Sequence, residues 1–274
     1  MHILTLSPSY PTANDGASSC FRAESVGEVQ GQVIESSVMA VYPMHRLHHG
    51  FDPKISPATW KKYFCLPGNP GLSIARRFLH AAVKSHARRI HAQHPVSLIH
   101  AHAALPCGQS AMLLARDLGI PFIVTVHGLD AFSTRQVPGW FGRLFFKVGA
   151  DVYGAAARVT CISDQVARRV REGLGGRVRI SVVYKGADPS LFSPASSSAV
   201  ANDVTLSVGN PIPIKGHEWL LRSVAAITAS HGFNIRLLGT VQVAFACKNW
   251  SGSCASNTGS TSWGEGRARK SPWR

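Results

Sequence analysis

The chain has 274 residues, room for one large or two modest domains, and its 45% hydrophobic content is that of an ordinary globular protein. Its charge is less ordinary: 29 Lys and Arg against 14 Asp and Glu leave a formal +15, a field that favours anionic partners without choosing among nucleic acid, nucleotide-bearing small molecules and an anionic membrane surface. No run approaches the ~18 apolar residues of a membrane span, and the apolar start MHILTLSPSYP is cut by Pro8 and Pro11 before it could serve as a signal sequence. The six cysteines (Cys20, Cys65, Cys107, Cys161, Cys247 and Cys254) have no C-x-x-C spacing and are expected as reduced thiols of a cytoplasmic protein able to touch a membrane surface.

Taken in order, residues 3–6 read as a short buried strand leading to a loop with Asp15 and Gly16, followed by a helix over 21–29 and a second strand over 33–41. Residues 43–71 hold five prolines together with His45, His48 and His49; no carboxylate stands at metal-ligand spacing from these histidines, so a polar surface loop is expected and no metal. The spacing of Ala75, Phe78, Leu79, Ala82, Val83 and Ile90 predicts a helix over 72–91. Arg77, Lys84 and Arg88 fall on its other side, either as a solvated face or as a patch for phospholipid or a lipid-linked phosphate.

A strand over 96–101 precedes a helix over 107–118, which Gly119 and Pro121 stop. His100 and His102 alternate onto one face of that strand; His102, at the strand end, is expected to reach substrate and His100 to be packed. Residues 122–126 form a five-residue apolar strand of the central parallel kind. His127, Gly128, Leu129 and Asp130 lie at its carboxyl end, where open α/β sheets bind ligands.

The alternation continues with a strand over 158–162, a helix capped by Ser163 and striped by Val166, Val170 and Leu174, and a strand over 178–184. The small, polar run SPASSSAVAN reads as a linker. Beyond it Val204, Leu206 and Val208 suit a buried strand, Asn210, Pro211 and Pro213 an extended loop, and Leu220, Leu221, Val224 and Ile227 a helix, with a further strand over 234–238. Lys215 sits just before that helix, whose N-terminus offers unpaired N–H groups, so the strand, the cation and the helix start together suggest an anion site. Repeated β-α units with short loops imply doubly wound, parallel, Rossmann-like sheets. The expected division is a domain over 1–192, a linker over 193–203, an incomplete second domain over 204–239 and a tail over 240–274. From residue 248 onward that tail has no Leu, Ile, Val, Met or Phe, and it is expected to be disordered or aberrant in sequence.

The motifs LIHAH, TVHGLD, CISD, VVYKGADPSLFSP and the VG…KG segment around Lys215, in this order, resemble the family 4 glycosyltransferases. The resemblance implies the type B fold, in which the N-terminal domain faces the acceptor and a second Rossmann domain binds a nucleotide diphosphate sugar in the cleft between them. It further implies metal-free, cofactor-free transfer of the sugar with retention to a glycan or lipid-linked acceptor, as in polysaccharide biosynthesis. His127 matches the family's catalytic cleft histidine beside the reacting carbon, and Lys215 the lysine that neutralises the diphosphate. Gly16 and Asn210 match donor-binding positions, Asn210 standing where many members have arginine, and His102 and Asp130 are acceptor-side candidates. The family's paired-glutamate motif is absent from the 274 residues, so the chain is expected to be truncated and catalytically incomplete. The alternative is a non-catalytic acceptor-side binding module. A basic nucleic-acid-binding protein is disfavoured, because no recognition motif accompanies the charge.

Overall fold

A computed structural model describes residues 1–8, 10, 34–45, 58–66, 71, 75–128, 139–174, 178–186, 189, 204–209, 215–227, 234–238, 254–257 and 260–263. The expected helix over 21–29, the linker and the positions of Gly16, His48, His49, Asp130 and Asn210 lie outside the described residues. The chain divides into two units, residues 1–186 and 187–274.

The first unit is built on seven parallel strands: β1 (His2–Ser7), β2 (Glu35–Pro43), β3 (Thr59–Tyr63), β4 (Leu98–His102), β5 (Phe122–Val126), β6 (Arg158–Cys161) and β7 (Ile180–Val182). Their order, β3-β2-β1-β4-β5-β6-β7, reverses direction at β1, so the carboxyl ends of β1 and β4 flank the topological switch point of the sheet. Helices α1 (Arg76–Gln93), α2 (Gln109–Leu118), α3 (Gly139–Ala155) and α4 (Asp164–Leu174) stand between successive strands, as parallel crossovers require. The pairing register sets Leu4 beside Ile99 and Leu6 beside Ala101. These four, with Val124 and Val126 of β5, lie in the buried core. The opposite face of the same strands carries Thr5, His100, His102, Thr125 and Thr160, a polar band across β1, β4, β5 and β6.

Local chemistry closes the elements as their residue types predict. Gly119 ends α2 in the left-handed region at φ 68°, where a side chain would be strained. Ser163 Oγ accepts the Val166 N–H at 3.3 Å and caps α4. Strand β3 and helix α3 are additions to the sequence reading. The strand, TWKKY, is an edge strand whose lysines interrupt the apolar pattern and blunt the edge. The helix carries Gly139, Gly142, Gly149 and Gly154, which weaken its stripe and its propensity; burial of Val148, Val152 and Tyr153 compensates.

Two expectations for α1 change. Leu79, Val83 and Ala87 are its buried face, whereas Phe78 is exposed and meets the Phe64 ring edge to face at 5.1 Å. The cationic side is tied to the neighbouring helix: Asp117 of α2 lies 2.9 Å from Lys84 Nζ, 3.8 Å from Arg88 and 3.4 Å from His80 Nε2. The hydrogen bond from Lys84 holds the Asp117 carboxyl below the usual carboxylate range. Burial pushes the His80 imidazole down despite that carboxylate.

In the second unit β8 (Val204–Val208) pairs in parallel with β9 (Asn234–Leu238), and α5 (His217–Ile227) lies between them in sequence. Strand β8 is not buried as its alternation suggested: Leu206 is 59% and Val208 66% exposed. It is an edge strand, and among the described residues nothing covers that face. Within the tail, β10 (Cys254–Asn257) and β11 (Ser260–Trp263) pair as an antiparallel hairpin that joins β9 through Ser262 and Leu238. Backbone ladder bonds, which need no apolar side chains, define this pair. Among the described residues no helix is long and apolar enough to cross a membrane.

Candidate active site at the carboxyl edge of the parallel sheet

Parallel pairing of β4 with β5 places His102 opposite Thr125, so that the ends of the two strands bring His102 and His127 together. The turn after His102 is held tightly. Ala103 has φ 69° and ψ 145°, a region costing about 1–3 kcal/mol for a residue with a side chain. Its N–H donates to the Thr125 carbonyl at 2.9 Å, and its own carbonyl accepts the Gly108 N–H at 2.9 Å. Gly108 allows this closure, because a Cβ there would meet Val152 Cγ1 at 2.9 Å and the Ala103 carbonyl oxygen at 3.0 Å. The residues 104–108 then wind as a wide π-type turn into α2. Strain and a packed glycine sit where the ligand edge of an open sheet lies, a common mark of a functional turn.

His102 is only 5% exposed, and its Nδ1 lies 2.9 Å from Nε2 of His127. The two ring centres are 5.1 Å apart with the planes 20° from parallel. With the nitrogens so close, that separation is the N···N distance plus two ring radii. The imidazoles therefore meet edge to edge in nearly one plane, which is the geometry of an N–H···N bond along an in-plane lone pair. His100 lies against His102, ring centres 4.6 Å apart. It is packed as expected from its strand position, and burial pushes its imidazole down to about 4, so it is neutral at physiological pH.

His100 Nε2 lies 2.7 Å from Thr125 Oγ1, which lies 2.6 Å from Thr160 Oγ1, and Thr160 Oγ1 reaches the Val124 carbonyl at 3.3 Å. A hydrogen-bonded chain thus crosses β4, β5 and β6.

His45 Nδ1 bonds the Cys65 carbonyl at 2.9 Å. Cys65, Cys107 and Cys161 are buried. Among the described residues no three His, Cys, Asp or Glu side chains gather as metal ligands.

In the second unit Lys215 is exposed just ahead of α5, and Gly216, at φ 70°, turns the chain into the helix. The Gly216 carbonyl accepts the Leu220 N–H at 3.1 Å, the first helical bond. Lys215 and His217 stand close to Gly209: a Cβ there would lie 3.5 Å from His217 Nε2 and 3.8 Å from Lys215 Cδ. His217, which the sequence reading passed over, bonds Ser207 through Nδ1 at 3.2 Å. Its Nε2 is buried without a hydrogen-bond partner among the described residues. A histidine two residues after the lysine, at the helix start, was the available signal.

The chain resembles known proteins over both units. An uncharacterized glycosyltransferase of Methanocaldococcus jannaschii is 30% identical over 144 residues, 53% of this chain and 37% of that protein. Among solved structures, sucrose-phosphate synthase of Thermosynechococcus elongatus aligns with 83% of this chain and 60% of its own, at a TM-score of 0.56 and 15% identity. The HepE protein of Anabaena, solved in complex with UDP-glucose, aligns with 82% of this chain and 57% of its own, at a TM-score of 0.54 and 17% identity. The chain therefore spans less than two thirds of the length of these relatives, and the fold it shares with the solved structures is the two-Rossmann-domain type B fold. The model of Glycosyltransferase Family 4 matches residues 43–191, more than half of the sequence and including the His102–His127 pair, and the chain belongs to that family.

Proposed function

We propose that this chain supplies the acceptor-side domain and the start of the donor-binding domain of a retaining glycosyltransferase. The donor is a nucleotide diphosphate sugar and the acceptor a glycan or lipid-linked molecule. The observation that carries the reading is the His102–His127 pair at the carboxyl edge of the parallel sheet, next to its switch point, where open α/β sheets bind ligands. The HepE protein, which shares the fold, was solved with UDP-glucose, and this supports the donor class.

In this reading His127 contacts the donor sugar near the reacting carbon. Lys215, at the entrance to α5, neutralises the diphosphate as negative charge develops on the leaving group. Gly16 and Asn210 complete the donor contacts, and Asp130 lies on the acceptor side. The reading requires no metal or organic cofactor and places the protein in the cytoplasm. Peripheral contact with anionic lipid at the inner face of the plasma membrane is part of it, supported by the exposed Phe64 and Phe78 rings, the latter directly after Arg76 and Arg77 in the chain.

Lys215→Ala is the test, made in residues 1–274 joined to a complete family donor domain. One charge-assisted contact to the leaving diphosphate is worth roughly 2–4 kcal/mol in the transition state, about 30- to 1000-fold in rate. Turnover indifferent to the substitution would remove Lys215 from the diphosphate. Little transfer is expected from residues 1–274 alone. Acceptor binding with no transfer from either protein would favour the non-catalytic binding module.

A further inference from the structure

We infer that the corner where β2 and β3 end and α1 begins is a docking surface for an anionic bilayer, and that the acceptor is accordingly lipid-linked. The inference rests on the acceptor-side reading of this unit given above. It goes further in naming the surface that meets the lipid and in choosing a lipid-linked acceptor over a soluble glycan.

The first observation is an apolar cluster in the open. The register sets Pro43 beside Tyr63, so β2 and β3 end level, and the Met44 N–H donates to the Tyr63 carbonyl at 2.9 Å. Met44 and Phe64 are the first residues past those two ends, Leu66 follows, and the Phe64 ring meets Phe78 of α1 edge to face. All four are between 46% and 64% exposed. Single exposed apolar residues are ordinary, but two aromatic rings and two long apolar chains at one corner hold a hydrocarbon surface in water.

The second observation is charge. Residues 53–116 carry nine Lys and Arg and no Asp or Glu, more than half of the formal +15 in under a quarter of the chain. Asp117 engages Lys84 and Arg88 farther along α1. Lys62, Arg76 and Arg77, which stand close to Phe64 and Phe78 in the chain, have no acidic partner among the described residues. Cations around an exposed apolar cluster match a surface that is anionic outside and apolar just beneath, which is a bilayer. A nucleic acid would satisfy the cations and leave Met44 and Leu66 in water.

The third observation is position. The carboxyl ends of parallel strands share one edge, so this corner lies on the same edge as His102 and His127. Three strand spacings separate β3 from β4, about 14 Å at ~4.8 Å each. A bilayer met at this corner borders the edge where the acceptor is read to bind, and an acceptor anchored in that bilayer reaches it by lateral diffusion.

Flotation of the full 274-residue chain with vesicles tests the surface. Binding is expected to vesicles of phosphatidylglycerol and phosphatidylcholine and not to phosphatidylcholine alone, and it should weaken with salt. Phe64→Ser together with Phe78→Ser should weaken it at least roughly tenfold, and Arg77→Ala roughly fivefold. Arg158→Ala removes an exposed cation at the amino edge and should change binding by less than about twofold. Binding untouched by the aromatic pair, or lowered as much by Arg158→Ala as by Arg77→Ala, would overturn the docking surface in favour of adsorption by general charge. Should the double variant not fold, Met44→Ser at its exposed position reads the same cluster. No vesicle binding by the natural chain would overturn the inference and leave the glycosyltransferase reading intact, since that rests on His102 and His127. The acceptor class is read separately: a polyprenyl diphosphate disaccharide in the vesicles should raise affinity above that of undoped vesicles of equal charge. Equal affinities would sink the lipid-linked acceptor while leaving the docking surface standing.

Discussion

Strand β5, FIVTV, and strand β8, VTLSV, both carry apolar side chains at their first, third and fifth positions. Yet Val124 and Val126 of β5 lie in the core, whereas Leu206 and Val208 of β8 stand largely in the open. The difference lies in the neighbours. Strand β5 has β4 and β6 on its two sides and helices packed on its apolar face, while among the described residues β8 is an edge strand paired with β9 alone. Alternation with period two makes a segment extended and sorts its side chains onto two faces. Burial is a property of what arrives over a face, and no residue within the strand encodes it.

Truncating one apolar side chain in each region tests this contrast at full strength. Ile99→Ala in β4, at a fully buried position between Leu4 and Phe122, is expected to cost about 2–5 kcal/mol in chemical denaturation. A cost below that of a surface change would mean that the apolar face is looser than its burial implies.

The opposite face of the same strand offers the next largest effect, and its sign follows from linkage. His100 titrates near 4 when folded and near 6.5 when unfolded, so between these values the unfolded chain binds more protons. Stability attributable to His100 is fully present above pH 6.5 and is lost as pH falls toward 4, by roughly 3 kcal/mol in all. His100→Leu should flatten that slope relative to the natural protein. Identical pH dependence in the two would show that the histidine is solvated and would break the contrast between the packed faces of β4 and the open face of β8.

The smallest effect is expected in β8. Leu206→Ser removes an apolar side chain that already faces solvent, and the denaturation midpoint should shift by no more than about 0.5 kcal/mol. A loss comparable to that of Ile99→Ala would reveal that something covers this face in solution.

Much of the architecture was legible in the residues themselves. The strands at 122–126, 204–208 and 234–238 appear where their apolar runs placed them, Gly119 and Ser163 cap the helices their residue types announced, and the parallel order follows from short β-α repeats. His127 could be placed at a strand's carboxyl end from sequence, since a five-residue apolar run defines that end without reference to the rest of the chain. The pairing of His102 with His127 could not, because 25 residues separate them and only the register of β4 on β5 joins the two strand ends. The same holds for the hydrogen-bonded chain from His100 through Thr125 to Thr160, for the ties of Lys84 and Arg88 to Asp117, and for the exposure of Leu206 and Val208 in β8. Local propensity and periodicity act over a few residues and so determine elements and their ends. Hydrogen-bond partners and burial depend on which distant elements pack together, and those the tertiary structure decided.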